Sequence, residues 1–222
     1  MADFNFIDAG FIDFKNCWDY QEELFSKIIE EKQSTGKPSS KNYFLLVEHP
    51  HVYTLGKSGD ELNMLIHSEF LKKIDATFYK INRGGDITYH GPGQLVGYPI
   101  IDLEYFHIGV REYIRKMEDA IIDTLAEYGL EGARRDGATG VWLDAAHRVR
   151  ARKVCAIGVR VSRFVTMHGF AFNANTDLRY FNYINPCGFD QGTVTSLQQE
   201  TGKPVDMEEV KQYIREKFNH HY

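Results

Sequence analysis

Apolar positions recur along this chain in two periods. Over residues 18–32, Leu24, Ile28 and Ile29 fall on one side of a 3.6-residue repeat, which predicts an amphipathic helix. Gly36 and Pro38 then break it. A longer helix is predicted over residues 110–128, with Ile114, Met117, Ile121, Ile122 and Leu125 on one face and Gly129 placed to end it. A short helix fits residues 68–73, and a closing one fits residues 206–218 with Asp206 as its N-cap. Between them lie apolar runs of strand length at residues 43–47, 52–57, 77–81, 95–101, 140–143, 153–161 and 170–173. Many short strands among few helices predict an α/β fold: one domain over residues 1–222, a mixed β-sheet flanked by helices. No repeat, low-complexity segment or linker divides the chain.

Composition narrows the classes. A chain of 222 residues buries a real core, and a net charge of −5 argues against nucleic acid as the main partner. No apolar run reaches the ~18 residues of a membrane span, and the first residues lack the basic start and apolar core of a signal peptide. Three cysteines, Cys17, Cys155 and Cys187, make an odd count without CxxC spacing. That pattern predicts a reduced, cytoplasmic setting with no disulfide framework and no metal site.

Candidate chemistry gathers at four places. Residues 83–94 hold four glycines beside Arg83, Asp86 and His90, between two strand-like runs. Such a stretch is either a long hairpin connection or a loop whose backbone approaches a ligand closely. Cys187 sits between Pro186 and Gly188, which suits a thiol presented on a rigid turn; the alternative is a small buried hydrophobe. Lys153 opens an otherwise apolar strand, so it either reaches out to solvent or is held near a group that uses its charge. The run from Arg148 to Arg152 before it is strongly basic: a solvated loop, or a landing patch for an acidic protein. His90 and His168, each followed by glycine, are candidate acid–base groups or structural histidines.

These motifs together resemble one family. The stretch from Arg83 to Gln94, Lys153-Val154-Cys155-Ala156-Ile157-Gly158, His168-Gly169-Phe170-Ala171-Phe172-Asn173 and Pro186-Cys187-Gly188 resemble the octanoyl-acyl carrier protein:protein N-octanoyltransferases of lipoate biosynthesis. The segments beginning at His49 and at Val194 fit as well, so the likeness runs from about residue 43 to residue 198, most of the chain. Cys155 departs from it, standing where the family more often has a small aliphatic residue.

The resemblance implies a fold like the catalytic domains of biotin and lipoate protein ligases. It implies an acyltransferase in which Cys187 carries the acyl group as a thioester and Lys153 is its partner. It places the acyl substrate against Arg83, Gly84, Gly85, Asp86, Ile87, Thr88, Tyr89 and His90, against Ala156, Ile157 and Gly158, and against Gly169, Phe170 and Ala171. The implied partners are acyl carrier protein and the lipoyl domains of 2-oxoacid dehydrogenase E2 subunits, with glycine-cleavage H protein left open. No cofactor is implied, because octanoate arrives already activated on the carrier's phosphopantetheine. The rival expectations are an ATP-dependent lipoate or biotin protein ligase, a thioester hydrolase pairing Cys187 with His90 or His168, and a carrier-binding module without catalysis.

Overall fold

The first element is one that periodicity does not predict. In the computed structural model, which describes residues 4–185 and 193–222, β1 (Asn5–Phe11) is a strand with no fully buried position. α1 (Phe14–Thr35) follows and begins ahead of the predicted start, because the Asp13 carboxylate accepts the Asn16 N–H and caps it. It ends at Gly36, whose φ of +64° suits glycine alone at little cost. β2 (Tyr43–Glu48) then pairs in parallel with β1.

β2 explains the layering. Phe44 and Leu46 pack into one core and Leu45 and Val47 into another, so this strand is buried on both faces and reads as a continuous apolar run. β3 (Val52–Leu55), α2 (Ser68–Lys73) and β4 (Thr77–Lys80) follow, α2 with its predicted bounds. β5 (Ile87–His90) lies inside the stretch predicted as loop: Ile87, Thr88 and Tyr89 favour extended backbone and pair with β3 despite the surrounding glycines. β4, β3 and β5 make a small sheet of their own.

The large sheet is completed by β6 (Gln94–Ile100), then, after α3 (Val110–Glu127), by β7 (Gly132–Ala133), β8 (Val141–Leu143), β9 (Arg152–Ser162) and β10 (Val165–Asn173). Its order is β1-β2-β6-β10-β9-β8-β7. β11 (Thr193–Val194) adds in parallel to β9, followed by α4 (Leu197–Thr201) and α5 (Met207–His221), the last capped by Asp206 as predicted. Leu24, Phe25 and Ile28 of α1 cover one face against Leu45, Val96 and Ala171. Met117, Ile121 and Leu125 of α3, with Ile214 and Phe218 of α5, cover the other against Phe44, Leu95 and Phe172. The result is the expected mixed sheet flanked by helices.

Candidate active site

Sheet register brings the predicted segments together. In the antiparallel β9–β10 pair, Ala156 faces Ala171, Ile157 faces Phe170 and Gly158 faces Gly169. The glycine stretch lies over this pair, and the Gly84 N–H donates to Val159 O at 2.8 Å. A Cβ on Gly158 would stand 2.9 Å from Gly84 O, so the close approach requires glycine there. Between the stretch and the sheet is a cavity of about 400 Å³, within the range of small-molecule sites of roughly 300–1,000 Å³. Arg83, Gly84, Gly85, Asp86, Ile87, Thr88, His90, Ala156, Ile157, Gly158, Gly169, Phe170, Ala171 and Lys153 all line it.

Tyr89 is the exception among the expected contacts. Side chains alternate along β5, and its ring points into the cluster of the small sheet, stacked on Tyr180 at 4.9 Å. A hydrogen bond of 2.7 Å joins its hydroxyl and His51 Nδ1. Cys187 lies outside the described residues. Of the residues that flank this segment in sequence, the Asn185 N–H donates to Asn63 O at 2.7 Å, and Val194 pairs with Lys153 across β11 and β9.

Lys153 is half-buried, and burial lowers its pKa below the usual lysine value. Its Nζ lies 4.7 Å from the centre of the Trp142 ring. Arg83 is a buried cation. Its Nη2 donates to Thr54 O at 2.7 Å and Thr54 Oγ1 at 3.0 Å, and Nη1 donates to Gly84 O at 3.0 Å. It thereby ties the glycine stretch to β3, and burial lowers its pKa to about 10. The Asp86 carboxylate accepts the Asn63 side-chain N–H at 2.7 Å.

His90 and His168 line the cavity, His49 packs against His90 behind it, and burial disfavours the charged form of all three. His90 Nδ1 donates to Gln94 Oε1 at 2.8 Å; the Gln94 amide in turn donates to Tyr89 O and Asn173 Oδ1. His168, at φ +60°, donates from Nε2 to Asn82 Oδ1 at 2.8 Å. Burial lowers both pKa values to about 3. His49 donates to Ile12 O and accepts from the Tyr98 hydroxyl, and burial brings its pKa to about 4. Each ring is buried with a fixed hydrogen-bond partner, Gln94 for His90 and Asn82 for His168, and a base so weakened does not suit thiol activation at neutral pH, which favours the structural reading of both.

The other cysteines are sealed. Burial pushes the Cys17 thiol up to about 12, and Cys155 higher still. The basic run divides. Arg152 forms a two-point ion pair with Glu200, at 2.6 and 2.7 Å, and a second pair with Asp144, so it belongs to the fold. Arg148, Val149 and Arg150 stay exposed on a turn capped by His147, whose Nδ1 accepts the Val149 and Arg150 N–H groups. Sequence reasoning missed several cavity residues, Phe14, Tyr98, Thr139 and Trp142 among them. Trp142 was legible only as a strand residue.

The sequence profile of the lipoyl protein ligase A/B catalytic domain matches residues 13–219. The chain belongs to this family. It is 56% identical over 216 residues to a protein named octanoyltransferase from Flavobacterium psychrophilum, covering 95% of this chain and 93% of that one. A Bacteroides fragilis protein of the same name is 55% identical, covering 93% and 92%. Among solved structures, a bipartite lipoate protein ligase of Thermoplasma acidophilum superposes with a TM-score of 0.68 at 14% identity, covering 96% and 82%. The biotin protein ligase of Aquifex aeolicus, in complex with biotin and ATP, gives 0.54 at 14% identity, covering 98% and 69%. At such identities the likeness to ligases is one of fold. The expected ligase-like architecture of this lipoyl ligase A/B domain is therefore observed. Among the described residues no helix is long and apolar enough to cross a membrane.

Proposed function

We infer that this protein is an octanoyltransferase of protein lipoylation, moving octanoate from acyl carrier protein to a lysine of lipoyl-domain proteins. The observation that carries the reading is the pairing of Lys153, at the cavity, with Val194, which follows the segment containing Cys187. With relatives named octanoyltransferase at more than half identity, transfer is favoured over the ligase and hydrolase readings.

In this reading residues 1–222 form one catalytic domain acting in the cytoplasm. Cys187 is the nucleophile, and Lys153 as ammonium favours its thiolate. The thiolate attacks the octanoyl thioester; the carbonyl passes to Cys187 sulfur and the pantetheine thiol leaves, taking a proton from Lys153. The neutral Lys153 amine then accepts a proton as the acceptor lysine attacks the acyl-enzyme. One group thus acts first as acid and then as base, and a pKa lowered by burial suits both tasks. The chain needs no cofactor or ATP, because the thioester is already activated. The octanoyl tail lies between the glycine stretch and the β9–β10 pair. Acceptors are E2 lipoyl domains, with H protein as a further candidate to assay.

The test is transfer from octanoyl-acyl carrier protein to a purified lipoyl domain without nucleotide, followed by mass. Octanoylated domain at the catalytic lysine is expected. Modification only with ATP and free octanoate would restore the ligase reading, and release of free octanoate without transfer the hydrolase reading.

A further inference from the structure

Lys153 does not stand alone at the cavity. Trp142 is its cross-strand partner in the β8–β9 ladder, where the register shifts at Val141. The indole is buried, and its Nε1–H donates to Ala138 O at 3.0 Å. Ala138 closes a turn with Arg135, its N–H donating to Arg135 O at 3.1 Å. The same turn carries the Arg135 guanidinium to 5.1 Å from the indole centre. Two cations therefore share one ring, Lys153 at 4.7 Å and Arg135 at 5.1 Å. A ring face attracts a cation within about 6 Å, more strongly when both are withdrawn from water. A lysine stem has four rotatable bonds, so something must hold its end in place if it is to transfer a proton.

We propose that Trp142 is the positioning residue for Lys153, its indole face holding the ammonium at the cavity, with Arg135 as the opposing charge on the same ring. The inference rests on Lys153 being the acid–base group of the octanoyl transfer. The indole favours the ammonium, whereas Arg135 disfavours it. Among the described residues, the Cys155 thiol on β9 itself and Arg135 from the turn before β8 bear on the charge of Lys153. β8 contributes Trp142 and β11 contributes Val194.

These opposed signs give the test. The chain has two tryptophans, so a Trp18→Phe protein carries its only indole at Trp142. Fluorinated tryptophans placed there weaken the ring's attraction for cations with little change of shape. Lys153 is then titrated directly, by trace labelling of its amine with acetic anhydride at a series of pH values and mass analysis of the peptide. This readout needs no catalytic activity. The midpoint is expected to fall stepwise with each added fluorine, and to rise in Arg135→Gln. Octanoyl transfer at fixed pH should fall about three- to tenfold across the fluorine series, with KM for the lipoyl domain unchanged. A midpoint indifferent to fluorination, or one moved the same way by both changes, would overturn the proposal. Expected midpoint shifts in a protein that transfers no octanoate would keep the positioning role and instead refute the reaction assigned to Lys153.

Discussion

At the scale of single residues, the candidate site is a set of buried polar groups with assigned hydrogen bonds. Arg83 is the clearest case. Its donors go to Thr54 and Gly84, so it holds the glycine stretch on the small sheet. Lysine cannot reproduce that fork. Arg83→Lys is expected to lower kcat/KM for the acyl donor by tenfold or more, as roughly 1.4 kcal/mol of positioning lost would give. Steady-state kinetics would show it as a higher KM for the donor. The histidines make a second prediction. Free histidine titrates near 6.5, while burial holds His49 near 4 and His90 and His168 near 3 in the fold. Their folded pKa values lie below the unfolded one, so the unfolded chain binds more protons between those values. The contribution of these three rings to stability is complete above about pH 6.5 and is lost as pH falls. With up to three protons taken up, the slope near pH 5 approaches about 4 kcal/mol per pH unit. Urea midpoints measured from pH 7 to 5 should drop steeply; a flat profile would contradict the neutral burial of these rings.

At the scale of elements, β9 and β10 do the assembling. Their register sets the two glycines, Gly158 and Gly169, side by side and lets the loop backbone lie on β9. Gly158→Ala places a Cβ 2.9 Å from Gly84 O and 3.2 Å from Arg83 Cδ, so the loop must move. The expected cost is about 1–3 kcal/mol. In a chain of this size that lowers Tm by some 2–4 °C for each kcal/mol, with a matching loss of donor binding. This is also where sequence and structure can be weighed. The β2 and β6 runs were legible because they are buried and apolar, β9 because its run is apolar although mostly half-buried, α3 because its periodicity is clear, and α5 because its Asp206 cap is. β1 was missed because it is a partly exposed edge strand that a parallel neighbour stabilises. β5 was hidden by glycines on either side. The β9–β10 contacts were legible as motifs, but their mutual register was not, since nothing local encodes which residue faces which. Tyr89 shows the limit: its place in a motif says nothing about which way a strand turns it. Trp142 shows the converse, a residue with no motif of its own that the ladder sets against Lys153.

At the scale of the whole molecule, the proposed function assigns the cavity to the acyl tail and the exposed basic turn to the carrier. Each buried CH₂ contributes about 0.8 kcal/mol, so shortening the acyl chain by two carbons should cost roughly fifteenfold in kcat/KM. Equal rates with chains of four and eight carbons would show that the tail is not held there. Arg152 is committed to Glu200 and Asp144, which leaves Arg148 and Arg150 as the exposed cations of that turn, and in the proposed function these two meet the acidic carrier. Charge reversal at those two positions is expected to slow transfer from acyl carrier protein about tenfold at low salt, and much less at high salt. A small octanoyl thioester donor should be unaffected, and an equal loss with both donors would assign the turn to folding instead. The central claim is that octanoate resides on Cys187 between the two partners. Its most direct test is the intact mass of the protein after mixing with octanoyl-acyl carrier protein and no acceptor. The account predicts one thiol-labile octanoyl adduct on the wild type, none on Cys187→Ser, and slow formation on Lys153→Ala. A wild-type protein that transfers octanoate yet never carries it, or that carries it equally well in Cys187→Ser, would contradict the account.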